Sequence, residues 1–187
     1  MTIQKVLVIG AGQMGSGIAQ VCAQAGFDVK LNDMKEEYFQ RGLANITKNL
    51  SRNVEKGRMT DEEKSQVLSR ITKSLDLNDA SDVDLVIEAA VENMEIKQKI
   101  FKQLDEITPK HAILASNTSS LPITEIAAAT NRPAQVIGMH FMNPVPVMKL
   151  VEIIRGLATT DDVYTSIEEM TKKLGKVPVE VNDFPGF

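Results

Sequence analysis

The chain has 187 residues and a formal net charge of −4 at neutral pH, with two tyrosines, six phenylalanines and no tryptophan. Such a balance offers neither the basic field nor the stacking platform that nucleic-acid binding uses, and no apolar run approaches the roughly 20 residues of a membrane span. The length suits one domain with its own core, and an amino terminus that runs straight into a strand points to the cytoplasm.

The first element is Lys5 to Gly15, KVLVIGAGQMG. Val6, Leu7, Val8 and Ile9 form an apolar run suited to a strand buried on both faces of a parallel sheet. The loop after it, Gly10, Ala11, Gly12, Gln13, Met14 and Gly15, has the spacing G-x-G-x-x-G. Gly10 permits a tight turn, Gly12 lets a pyrophosphate approach backbone, and Gly15 lets the following helix pack on the strand. The free amides and positive end of that helix then face the phosphates. Ile18, Val21, Cys22 and Ala25 recur at helical spacing, Gly26 closes the helix, and Phe27 to Leu31 reads as the second strand. Cys22, the only cysteine, falls on the inner face of that helix and reads as a core thiol. Asp33 lies eighteen residues beyond Gly15. A carboxylate there accepts hydrogen bonds from an adenosine ribose and repels a 2′-phosphate, which makes NAD, and not NADP, the expected cofactor.

Between Asp33 and Ile71 the chain is longer than one crossover helix requires. Phe39, Leu43, Ile46, Leu50 and Val54 form a stripe, Gly57 breaks it, and Thr60 with Glu63 makes a capping box. The segment 36–69 is therefore expected to be a helical hairpin inserted after the second strand. Lys48, Arg52 and Lys56 stack on one face of its first helix, either as a solvated face or as a docking surface for a polyphosphate ligand.

Ile71 to Leu75 and Asp84 to Ala89 read as strands. Glu92 and Lys97 follow at the carboxyl end of the second and in the first turns of a helix whose apolar face is expected at Ile96, Ile100, Leu104 and Ile107. That edge of an open α/β sheet binds ligands, so either residue can reach the nicotinamide half of a cofactor; Glu92 equally suits a helix start. A strand over Ala112 to Ala115 leads into the hydroxyl-rich SNTSSL, where Ser119 offers a hydroxyl to a reacting oxygen or to backbone. His111 receives no role. Gln135 to Phe141 is the sixth strand, with His140 at its carboxyl end. Asn143, Pro144 and Pro146 then stiffen a turn, and Lys149 to Ile154 returns carrying Glu152. A helix over Thr160 to Leu174 and a strand over Val177 to Val181 complete the chain.

The alternation specifies an α/β, Rossmann-type doubly wound, mostly parallel sheet, with the hairpin after its second strand and antiparallel strands at the end. A nicotinamide cofactor needs a group to move the proton that accompanies hydride. His140 suits that work because imidazole changes charge near neutrality, and Glu152 on the returning strand can orient it. Two histidines far apart in sequence and one core cysteine supply no metal cluster, and no serine sits in a nucleophile elbow.

At GAGQMG, SNTSSL and MHFMNPVPVMKLVEII the chain resembles the amino-terminal domain of the L-3-hydroxyacyl-CoA dehydrogenases, most closely the bacterial 3-hydroxybutyryl-CoA dehydrogenases, and the resemblance covers essentially the whole chain. It implies an NAD-dependent interconversion of 3-hydroxybutyryl-CoA and acetoacetyl-CoA, with His140 as general base or acid and Glu152 orienting it. It implies Ser119 and Asn143 in the substrate and nicotinamide pocket, Asp33 on the ribose, and Glu92 and Lys97 along the cofactor. Asn49, Arg52 and Lys56 become the expected contacts to coenzyme A. In the family, DxPGF leads into a helical carboxy-terminal domain that carries the homodimer contacts; here 183–187 is expected to begin that linker, and the chain reads as a fragment. Two other readings stay open: an NAD-binding module without turnover, and a Rossmann dehydrogenase acting on a phosphorylated polyol or sugar acid, against which the His140 and Glu152 pair argues.

Overall fold

The computed structural model describes residues 2–183, so the expected linker lies outside the described residues apart from Asp183. Strands β1 Lys5–Ile9, β2 Asp28–Asn32, β3 Ile71–Ser74, β4 Leu85–Glu88, β5 Ile113–Ser116, β6 Val136–Phe141, β7 Leu150–Arg155 and β8 Val177–Asn182 form one sheet, in the order β3-β2-β1-β4-β5-β6-β7-β8. The first six are parallel; β7 runs antiparallel to β6, and β8 runs parallel to β7. The order reverses between β1 and β4, which places a crevice at the carboxyl ends of those strands.

Helices cover both faces. On one lie α1 Gln13–Gln24, α2 Glu36–Glu55, α3 Asp61–Ser69 and α6 Asp161–Lys173, contributing Ile18, Cys22, Ile46, Leu50, Val67, Ile167 and Met170 to one core. The other face holds α4 Met94–Ile107 and the short α5 Ile123–Ala127, with Phe101, Leu104, Ile123 and Ile126 in a second core. Cys22 lies in the first of these, where burial pushes its thiol up to about 12. Among the described residues no helix is long and apolar enough to cross a membrane.

Two helices differ from the expected one-sided stripes. Every residue of α1 from Gly15 to Ala23 is buried, because α2 and α3 cover its outer side and Val145 presses on Gly17. A helix buried all round carries small and apolar residues on every face, and GSGIAQVCA does. In α4 the buried residues are Lys97, Phe101 and Leu104, while Ile96 is 42% exposed. A buried carboxylate at the end of β4 rotates Lys97 into the interior, and the apolar stripe turns with it.

The hairpin begins where expected, and its second helix opens with a complete capping box: the Glu63 amide donates to Thr60 Oγ1 at 3.1 Å, and the Thr60 amide to Glu63 Oε1 at 3.2 Å. Its first helix bears directly on the glycine loop. A Cβ at Gly42 would stand 2.7 Å from the Ala11 carbonyl oxygen, so only glycine admits this approach. At the opposite edge of the sheet, His111 Nε2 lies 2.8 Å from Asp84 Oδ1, and the other oxygen of Asp84 accepts the Gln4 and Lys5 amides. His111 therefore ties the start of β5 to the amino terminus.

Candidate active site

The glycine loop has the shape its spacing predicts. Gly10 has φ of +99°, and a Cβ there would meet the Ala89 carbonyl oxygen at 2.7 Å; a Cβ at Gly15 would overlap the Gly10 carbonyl at 1.6 Å. At Gly12 a Cβ would meet nothing within 4 Å. Two glycines are thus demanded by the fold and the third opens the mouth of the loop. Helix α1 starts at Gln13 with no side chain capping it and no acidic residue in its first turn. Its free amides and positive pole are left to an anion, which fits a dinucleotide pyrophosphate.

Asp33 stands beside this cradle. Its Oδ2 accepts the Ala11 amide at 2.8 Å and its Oδ1 the Met34 amide at 2.7 Å. The carboxylate therefore closes the loop at the end of β2.

The far end is built by β4, β5 and β6. Register pairs His140 on β6 directly with Glu152 on β7, and His140 Nδ1 lies 3.0 Å from Glu152 Oε1. With Nδ1 donating to the carboxylate, Nε2 is the basic nitrogen, and no hydrogen bond among the described residues engages it. The two side chains are 21% and 32% exposed, open enough to meet a ligand.

Glu92 gathers the hydroxyl-rich loop. Its Oε2 accepts from Thr118 Oγ1 at 2.8 Å, from the Ser119 amide at 3.2 Å, and from the Ser119 and Ser120 hydroxyls at 3.3 Å each. Burial works against its charge, but the Thr118 hydroxyl, the Lys97 ammonium and the Ser119 amide outweigh burial and hold its carboxyl below the usual range. Asn117 joins this loop to both neighbours, donating its amide to the Glu88 carbonyl and accepting the Phe141 amide at Oδ1, each at 2.8 Å. Ser119 and His140 thus hang from one connected framework.

Lys97 is placed differently from the other expected site residues. It is fully buried, with Nζ 2.7 and 2.8 Å from the two oxygens of Glu88, itself fully buried, and 3.4 Å from Glu92 Oε1. Its ammonium supports Glu92 from beneath. Glu88 and its partner Ser116 escaped the sequence reading; the available signal was a carboxylate closing the otherwise apolar LVIE, which demands a buried partner.

Asn143 lies in the turn after β6, where the Asn143–Pro144 peptide bond is cis. Lys176, a third residue missed in sequence, holds this turn: buried, it donates to the Val145 and Met148 carbonyls. Burial and nearby Lys149 hold its ammonium below the usual lysine range.

Between this turn and α2 runs a groove. One part, about 380 Å³, is lined by Gln13, Lys48, Asn49, Arg52 and Asn143 among others; the next, about 350 Å³, by Arg52, Lys56, Arg58 and Val147. Asn49, Arg52, Pro144 and Pro146 border both parts. The cations on α2 therefore face a channel that reaches the first residue of α1, and Arg58 joins them. A wider depression of about 620 Å³ at the amino ends of β5 and β6 contains His111 but lies at the other edge of the sheet. No group of three His, Cys, Asp or Glu side chains placed to hold a metal occurs among the described residues.

Comparison with known proteins agrees with this architecture. Residues 5–184 match the family described as 3-hydroxyacyl-CoA dehydrogenase, NAD binding domain. The chain is 58% identical to a probable 3-hydroxybutyryl-CoA dehydrogenase of Bacillus subtilis over all of its own length and 65% of that protein's. It is 54% identical to the 3-hydroxybutyryl-CoA dehydrogenase of Bradyrhizobium diazoefficiens, over 99% of this chain and 63% of the other. The crystal structure of (S)-3-hydroxybutyryl-CoA dehydrogenase from Ralstonia eutropha superposes with a TM-score of 0.97 at 47% identity, covering 100% of this chain and 66% of that one. The chain thus spans just under two thirds of these relatives. With its glycine cradle, the carboxylate that closes it and a match over nearly its full length, the chain belongs to the 3-hydroxyacyl-CoA dehydrogenase NAD-binding domain family and is an NAD-binding domain.

Proposed function

We propose that this chain is the cofactor-binding part of a cytoplasmic, NAD-dependent 3-hydroxyacyl-CoA dehydrogenase that interconverts (S)-3-hydroxybutyryl-CoA and acetoacetyl-CoA, and that the complete enzyme is a homodimer through a further helical domain joined after residue 183. The observation that carries this reading is the His140–Glu152 pair, held at 3.0 Å by strand register at the same sheet edge as the glycine loop.

NAD held by the glycine loop and Asp33 would supply the hydride chemistry at C3 of the acyl group. His140 Nε2 takes the proton of the 3-hydroxyl in one direction and returns it in the other. Glu152 fixes the ring through Nδ1 and stabilises the imidazolium. Ser119, held through its amide and hydroxyl by Glu92, offers its hydroxyl oxygen to the substrate, and Asn143 borders the pocket at the head of the groove. The groove between α2 and the proline turn takes coenzyme A, with Asn49, Arg52 and Lys56 along its phosphates.

The test is NADH oxidation with acetoacetyl-CoA, measured beside NADH binding. Turnover supports the reading; binding without turnover marks this chain as a binding module that needs the rest of the enzyme. Lys56→Ala is expected to weaken acetoacetyl-CoA binding about tenfold and to leave NADH affinity unchanged. An unaltered affinity for acyl-CoA returns Lys56 to the solvent.

Asp33 supports preference for NADH over NADPH, because a 2′-phosphate brought beside its carboxylate meets like charge. Asp33→Asn should narrow the ratio of kcat/KM for the two cofactors by about tenfold or more. A wild-type protein that uses NADPH better overturns the assignment.

A further inference from the structure

The carboxyl end of β4 carries a buried ion pair beneath Glu92 that proton transfer at His140 does not use. Glu88 and Lys97 are both fully buried and pair at 2.7 and 2.8 Å. The remaining needs of Glu88 are met by Ser116 Oγ and the Ala90 amide, each at 2.7 Å. Lys97 also lies 3.4 Å from Glu92, whose side chain is 38% exposed. Two carboxylates share one ammonium, so one negative charge is left over, and it rests on the member that faces out.

The surroundings decide what that charge meets. The glycine loop abuts the end of β4, since a Cβ at Gly10 would lie 2.7 Å from the Ala89 carbonyl oxygen. The loop gathered by Glu92 is tied through Asn117 to Phe141, the neighbour of His140. A dinucleotide with its phosphates on the glycine loop and its reactive ring turned toward His140 must pass this carboxylate. The oxidised nicotinamide carries a positive charge that the reduced ring lacks.

We propose that the Glu88–Lys97–Glu92 triad sets the relative affinity of the chain for oxidised and reduced NAD, the buried pair fixing the net charge that Glu92 presents to the ring. The inference rests on the orientation of the cofactor given above and not on acyl-CoA turnover. Glu92 is the residue that faces the ring; Glu88 and Lys97 are positioning residues that act through it.

The experiment is direct binding of NAD⁺ and NADH to the chain, by calorimetry or fluorescence. In Glu88→Gln the single amide oxygen keeps one of the two hydrogen bonds that Ser116 Oγ and the Ala90 amide make to separate oxygens of Glu88, and the triad becomes neutral. The ratio Kd(NAD⁺)/Kd(NADH) should rise by about threefold to tenfold, the effect of one nearby, partly screened charge. Adding Lys97→Met to Glu88→Gln restores the single negative charge, and the ratio should return to within about twofold of wild type even where both affinities fall. A purely structural role weakens both forms together and leaves the ratio fixed. Glu92→Gln at the surface supplies the same comparison without disturbing the buried pair, and should raise the ratio as Glu88→Gln does. A ratio unchanged in a folded Glu88→Gln or in Glu92→Gln, with NADH still bound, overturns the proposal and leaves the dehydrogenase reading standing. Failure of the wild-type chain to bind either form overturns the cofactor placement itself.

Discussion

In the complete enzyme, His140→Gln is expected to lower kcat for acetoacetyl-CoA reduction by about 10²- to 10⁴-fold, the range in which a positioned general acid or base contributes. Glutamine keeps polar atoms near Glu152 but cannot carry a proton at neutral pH, so the loss belongs to proton transfer and not to shape. NADH affinity should stay within about twofold, because the glycine loop and Asp33 lie at the other end of the crevice. Steady-state kinetics with parallel NADH titration make the comparison. A kcat within about tenfold of wild type removes His140 from the role of base.

The second large effect is on stability. Lys97→Met leaves the Glu88 carboxylate fully buried with its counter-ion gone. Removing one partner of a buried ion pair destabilises by about 3–5 kcal/mol, because a charge must then remain in the interior unpaired or be neutralised at a cost. For a domain of this size the loss corresponds to a fall in Tm on the order of 10 °C. Urea titration reads it as a lower midpoint. Replacing both partners is expected to recover most of the loss, since a neutral, well-packed pair needs no such compensation. A cost below about 1 kcal/mol for Lys97→Met means that Glu88 is satisfied by Ser116 and Ala90 alone.

These two effects divide along a line that also separates what was legible in the sequence from what was not. The sheet, the hairpin and the His140–Glu152 pair follow from local signals: apolar runs, glycine and proline punctuation, a capping box, and a short rigid turn between two strand patterns. Register then had one choice that buries the right faces, and it set Glu152 opposite His140. Glu88 signals only that a buried partner must exist, and Ser116 and Lys176 carry no local signal at all. Each is polar within a stretch that otherwise reads as buried strand or its approach, and its partner comes from a separate element, as Lys97 of α4 does for Glu88 of β4. Spacing along the chain cannot pair residues across elements whose relative rotation is unknown. For the same reason the apolar periodicity of α4 points to Ile96 as an inner residue, while the buried position belongs to Lys97. Gly42 was legible only as a helix interior glycine; its purpose lies in the backbone of the loop it touches.

The antiparallel turn of the chain at β6 and β7 has a consequence for when the His140–Glu152 pair exists. Met139 faces Ile153, His140 faces Glu152 and Phe141 faces Val151, so a slip of a single residue would send Glu152 to the reverse side of the sheet. No side-chain rotation repairs that displacement. The pair is present only while this margin of the sheet is closed, and it vanishes in any local opening that frays β7 and β8 while β1 and β2 still hold the dinucleotide. Amide hydrogen exchange along β7 therefore measures how long the His140 ring stays oriented, a lifetime set by hydrogen bonds of the backbone and independent of how tightly the cofactor is bound.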